Sequence, residues 1–139
     1  MKIVLYDISN PEGIDLKSFD PKDSYCIEIE IYVKILIDNN EGVELFSTMV
    51  GNLQGFNDFF HKDISQSKSN TLFYNPRVIL CKEYNYQEIF SLISNYIQGL
   101  KPKNIAELFL LMTRKFEYVD SLFHDPLEEF KYYLRMTKP

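Results

Sequence analysis

At 139 residues the chain has the size of one domain, long enough to bury roughly two-thirds of its unfolded surface. With 45% hydrophobic and 25% charged residues it has the make-up of a folded protein, not of a disordered tail. Its formal charge of −5 is uneven, since residues 1–47 hold ten acidic side chains against four lysines, while the rest balances ten acids with eleven bases; such an acidic amino-terminal third repels phosphate backbones and attracts a basic protein surface, which excludes nucleic acid as a direct partner.

The segment KIVLYDI, residues 2–8, is rich in β-branched and aromatic types and ends at the turn cluster Asn10-Pro11-Glu12-Gly13, so it is expected as a first strand. Over residues 25–37 every odd position is apolar, while Glu28, Glu30 and Lys34 take even ones. That period of two predicts a second strand with one face buried and the other largely wet. Asn39-Asn40-Glu41-Gly42 then supplies turn residues, and a third strand over 43–50 is expected to close an antiparallel hairpin.

Between residues 51 and 75 the pattern weakens to a short helix carrying Phe56, Phe59 and Phe60, followed by the loop-like HKDISQSKSN. After Pro76 the nearly continuous apolar run over 77–82 predicts a strand buried on both faces in the middle of the sheet. Ile89, Phe90, Ile93, Tyr96 and Ile97 repeat at helical spacing, and after Gly99 and Pro102 so do Ile105, Leu108, Phe109, Met112 and Phe116. A third carboxyl-terminal helix is expected after Asp125-Pro126, through Leu127, Phe130 and Leu134, with the basic end from Lys131 to Lys138 complementing its carboxyl terminus. The order predicts a single α+β domain over 1–139, with an antiparallel sheet of about four strands packed on two or three carboxyl-terminal helices.

Chemistry is thinly supplied. The only histidines are His61 and His124, each in a polar context, and Cys26 and Cys81 lie in strand-like runs without metal-ligand spacing. Buried free thiols are therefore expected, and no metal or cofactor. The carboxylate pairs Glu28/Glu30 and Glu128/Glu129 are placed as a solvated face normally is, and Gly51-Asn-Leu-Gln-Gly55 lacks the lysine and glycine spacing of a phosphate loop. No catalytic residue is assigned. The apolar run at the amino terminus is broken at Asp7, too soon for a signal peptide, and no stretch of about 18 apolar residues follows, so a cytoplasmic protein is expected.

What stands out is acidic and aromatic. Asp20 and Asp23 precede the second strand, Glu28, Glu30 and Tyr32 lie on its wet face, and Glu41 and Glu44 surround the hairpin. Such a surface steers a basic partner and anchors it with a ring, so these seven residues form the candidate partner-binding site. Two other classes remain open: a small hydrolase built from Asp and Glu with one histidine or a metal, and an adaptor for an ordinary cellular partner.

Three segments in order resemble the immunity protein 8 family of bacterial polymorphic-toxin systems, over roughly residues 1–121. SFDPKDSYCIEIEIYV, residues 18–33, is similar to the family's lead-in and alternating strand. VILCKEYNYQEIFSLISNYI, residues 78–97, resembles its apolar strand, Glu-Tyr and helix. RKFEYVD, residues 114–120, resembles an aromatic-glutamate-aromatic ending on its last helix. The chain departs from the family where Gly51-Asn-Leu-Gln-Gly-Phe56 replaces a proline-tryptophan signature, and the segment 51–75 is expected to differ. The resemblance implies an immunity protein that neutralises a cognate toxin domain, commonly a nuclease used in contact-dependent growth inhibition, by stoichiometric occlusion and without turnover.

Overall fold

The computed structural model describes residues 1–71 and 77–121. In chain order they form β1 (Lys2–Ser9), β2 (Cys26–Ile37), β3 (Asn40–Gly51), α1 (Leu53–Gln66), β4 (Val78–Leu80), α2 (Tyr86–Gly99), α3 (Ile105–Met112) and β5 (Glu117–Ser121). This is an α+β fold, a mostly antiparallel sheet with helices lying largely after the strands. The helix expected after Asp125-Pro126 falls outside the described residues.

The sheet runs β1-β2-β3-β4, and β5 also pairs with β3. Strands β2 and β3 form the long hairpin, registered from Cys26 opposite Gly51 to Ile37 opposite Asn40. Its turn is tighter than the sequence suggested: Asp38 takes a positive φ of 53° and only Asp38 and Asn39 separate the strands. Strong alternation carries the pairing one step closer to the tip, because a two-residue connection matches the twist of the flanking strands. The far edge of β3 is shared, with β4 running parallel beside Met49–Gly51 and β5 antiparallel beside Glu44–Ser47.

Three expectations are corrected. Among the described residues the strand following Pro76 is an edge strand of three residues with Leu80 61% exposed, not a central one. A short apolar run reports hydrophobicity, not how many neighbours the strand has. The helix carrying Phe56 continues through His61 to Gln66, where a loop was expected. Close tertiary contact anchors its start: a Cβ on Gly55 would come within 1.8 Å of the Tyr25 carbonyl oxygen, and one on Gly51 within 2.5 Å. The two glycines of Gly51-Asn-Leu-Gln-Gly55 are thus there for close backbone approach.

The third correction concerns residues 114–120, read as the end of a helix. Helix α3 stops at Met112, the Thr113 hydroxyl caps the Phe109 carbonyl at 2.9 Å, and Glu117 opens a strand. Phe116 still donates its N–H to Met112 O at 3.0 Å, so helical spacing persists through one turn beyond the helix. Each helix begins at an asparagine, Asn52, Asn85 or Asn104, whose side chain accepts the N–H three residues on.

The core lies between the sheet and helices α2 and α3. Ile29, Ile31, Val33 and Ile35 of β2 meet Ile89, Ile93 and Ile97 of α2 and Leu108 and Met112 of α3. The side-chain period of two makes the even positions of β2 face the other way. The candidate site begins there.

Candidate functional site

Pairing fixes which side chains share that outer face. Directly opposed residues of antiparallel strands point to the same side. Glu30 stands opposite Ser9 on β1 and Ser47 on β3, and Ser47 stands opposite Glu117 on β5. Tyr32 lies between Asp7 and Leu45, and Glu28 faces Met49. The result is an acidic row crossing the sheet, to which Glu117 contributes from the far end of the chain.

Electrostatics link the row. Partial burial, then Glu30, Glu117 and Glu12 in that order, push the Glu28 carboxyl above its ordinary value. Like charges disfavour a further negative charge on the same face. The Tyr32 hydroxyl donates to Glu30 Oε2 at 2.9 Å and accepts from Ser9 Oγ at 3.4 Å, so the ring is held upright beside the carboxylate.

The remaining residues of the expected site are dispersed. Glu41, near the hairpin tip, pairs with Lys34 Nζ at 3.1 Å, and the same ammonium sits 4.5 Å from the Tyr6 ring centroid. Asp20 pairs with Lys22 at 2.6 Å, both exposed, and the Asp23 carbonyl accepts from Asn52 Nδ2 at 3.0 Å at the start of α1. Glu44, expected on the wet surface, is 0% exposed. It stands opposite Val33 on the core face and accepts the Tyr118 hydroxyl at 3.0 Å. What the structure brings together is therefore Glu28, Glu30 and Tyr32, with Glu117 and Glu12 added. Reading residues 114–120 as helix hid Glu117; the alternation of Phe116, Tyr118 and Glu117, Val119 was the signal available.

Elsewhere, a cleft of roughly 580 Å³ opens between β4 and α2, walled by Ile79, Leu80, Cys81, Tyr84, Ile89 and Leu92 among others. Burial pushes the Cys81 thiol up and the Tyr84 hydroxyl to about 12, so both stay protonated at neutral pH. Cys26, pushed up to about 11 by burial, is likewise a neutral thiol; both cysteines are free and half-buried. Glu28, a carboxyl with a raised value, is not among the walls of this cleft.

Among the described residues, no group of three or more His, Cys, Asp or Glu is disposed to hold a metal ion. Nor, among them, is any helix long and apolar enough to cross a membrane. Exposed His61 lies on α1, and His124 falls outside the described residues. The arrangement thus offers a face of negative charge, with Glu28 and Glu117 exposed and Glu30 and Tyr32 half-buried, suited to contact with a basic surface.

No curated protein and no solved structure shows significant similarity to the chain. The profile of one family, described as Immunity protein 8, matches residues 3–119, which span every strand and helix described above except the first residue of β1 and the last two of β5. The match covers most of the 139 residues, and the chain belongs to the Immunity protein 8 family.

Proposed function

We infer that this protein protects a bacterial cell by binding a cognate toxin domain through the outer face of its sheet, one molecule to one, and covering a basic surface the toxin needs. The observation that carries the reading is the acidic row of Glu28, Glu30 and Glu117 around Tyr32, assembled on a rigid sheet from two ends of the chain. Family membership supplies the toxin as partner.

The toxin is a nuclease in this reading. A nuclease holds phosphate in a basic groove, and a row of carboxylates at strand spacing presents the same sign of charge to it. Tyr32 adds an amphipathic ring of the kind that dominates binding energy at interface centres. The setting is the cytoplasm, in systems of contact-dependent inhibition or related polymorphic toxins, where the toxin arrives in a neighbouring cell.

The reading involves no turnover and no cofactor. A carboxylate hydrolase needs a concave site in which a perturbed acid meets a second group. Glu28, a carboxyl with a raised value, lies on the outer face of the sheet and not among the walls of the cleft.

The test is co-expression with the carboxyl-terminal toxin domain encoded directly upstream, scored by a 1:1 complex on size exclusion and by rescue of growth. Reversal of both Glu28→Lys and Glu30→Lys is expected to slow association by about tenfold or more, whereas Lys101→Glu with Lys103→Glu changes it little. Equal effects from the two pairs would remove the outer face as the binding surface. Absence of a complex and of rescue would remove the immunity reading altogether.

A further inference from the structure

The geometry points to a second docking surface, the edge of β4 that no other described strand pairs with, which takes an extended segment of the toxin as an added strand over the cleft beside α2. This inference rests on the reading that the chain binds a toxin. It concerns a region that the acidic row does not include.

The edge is defined by the parallel register. Leu80 is the residue opposite Gly51, and Cys81 donates its N–H to Gly51 O at 2.9 Å. In a parallel pair, a residue flanked by such bonds directs its own N–H and C=O away from the neighbouring strand. Leu80 therefore aims both backbone groups outward, and among the described residues β4 pairs with β3 alone. Open edges of this kind are templates for a further strand.

Side chains on both sides of that edge are left bare as if for the same strand. Gly51 lies on the outer face of the sheet, so Leu80 opposite it does too, and it is 61% exposed. On the helix side Leu92 of α2 is 57% exposed beside the buried Ile89, within the cleft wall. Alternate residues of an added strand would cover Leu80 and Leu92 in turn.

Charge selects the occupant. The cleft rim carries Glu83 and Glu88 against Lys82, an acidic balance that favours a segment with a Lys or Arg next to its apolar positions. A basic toxin satisfies this; a second copy of this chain, acidic overall at −5, is disfavoured.

The experiment uses the full chain in complex with the upstream-encoded toxin domain. Amide hydrogen exchange at Leu80 is compared free and bound, and binding is measured for Leu80→Pro, which deletes the outward N–H, and for Leu92→Glu on the exposed helix surface. The expected result is exchange at Leu80 slowed by about tenfold or more in the complex, with both variants binding about tenfold or more weaker. If Leu80→Pro does not fold, Leu92→Glu carries the comparison. A complex that leaves Leu80 exchange unchanged and Leu92→Glu binding within about twofold overturns the added strand while the immunity reading stands. A free protein that is already dimeric with Leu80 protected assigns the edge to a second copy and overturns it too. Failure of the parent chain to bind at all removes both readings.

Discussion

The two strands of one hairpin obey different rules. On β2 the alternation is clean, with Ile29, Ile31 and Val33 fully buried and Glu28, Tyr32 and Lys34 at least partly in solvent. On β3 five successive residues, from Glu44 to Thr48, are buried on both faces. The difference comes from what surrounds each strand. Strand β2 lies between β1 and β3 and buries only its helix-facing side, so each face keeps one environment along its length. The edge of β3 away from β2 is shared by two strands that arrive from distant parts of the chain. Glu28 on β2 is thus a surface feature, and Glu44 on β3 is part of the interior.

That contrast is breakable by mutation. The largest effect is expected at Ile31→Ala, which leaves a cavity between β2 and the helices and is expected to cost about 2–5 kcal/mol in urea denaturation. A loss below about 1 kcal/mol would mean that the site collapses freely and that the core face is not tightly packed.

Glu44→Ala comes next. Removing the fully buried carboxylate deletes the bond it accepts from the Tyr118 hydroxyl and is expected to cost about 1–3 kcal/mol, with Glu44→Gln milder because an amide oxygen still accepts. A neutral Glu44→Ala would return Glu44 to the surface set with Glu28 and Glu30.

The smallest effect belongs to the outer face, and its sign is informative. Glu28 holds its proton more tightly in the folded chain than in the unfolded one, so the folded state binds more protons in the window just above the ordinary glutamate range. Stability therefore falls as pH rises through that window. Glu28→Gln is expected to be slightly more stable than the parent at pH 7, by about 0.5 kcal/mol or less because water and salt screen exposed charges. The difference should vanish below roughly pH 4, where the parent is protonated in both states. Paired denaturation curves at the two pH values test this, and a less stable Glu28→Gln at pH 7 would mean that the carboxylate is held by attraction and not disfavoured by burial and repulsion.

How much was legible follows the same line. Period-two alternation marked β2 and hence Glu28, Glu30 and Tyr32 on a common wet face, and period-3.6 stripes marked α2 and α3 with Ile89, Ile93, Ile97, Leu108 and Met112 inward. Glu44 was misplaced because the even positions of β3 pair with the odd ones of β2, so Glu44 shares the side of Val33. Glu117 was missed because Phe116 still keeps helical spacing from Met112.

The sequence by itself determined the α+β order of elements, the hairpin, the buried face of β2 and the acidic bias of the first 47 residues. These are properties of neighbours along the chain, and side-chain periodicity reports them directly. Only the tertiary structure decided that β4 is an edge with Leu80 bare, that β5 exists and carries Glu117 to Glu28 and Glu30, and that Glu44 lies inside. Whether a strand is central or marginal, and whether a carboxylate meets water or another chain segment, depends on pairing between residues seventy positions apart, such as Ser47 and Glu117 in a 139-residue chain, which no local pattern encodes.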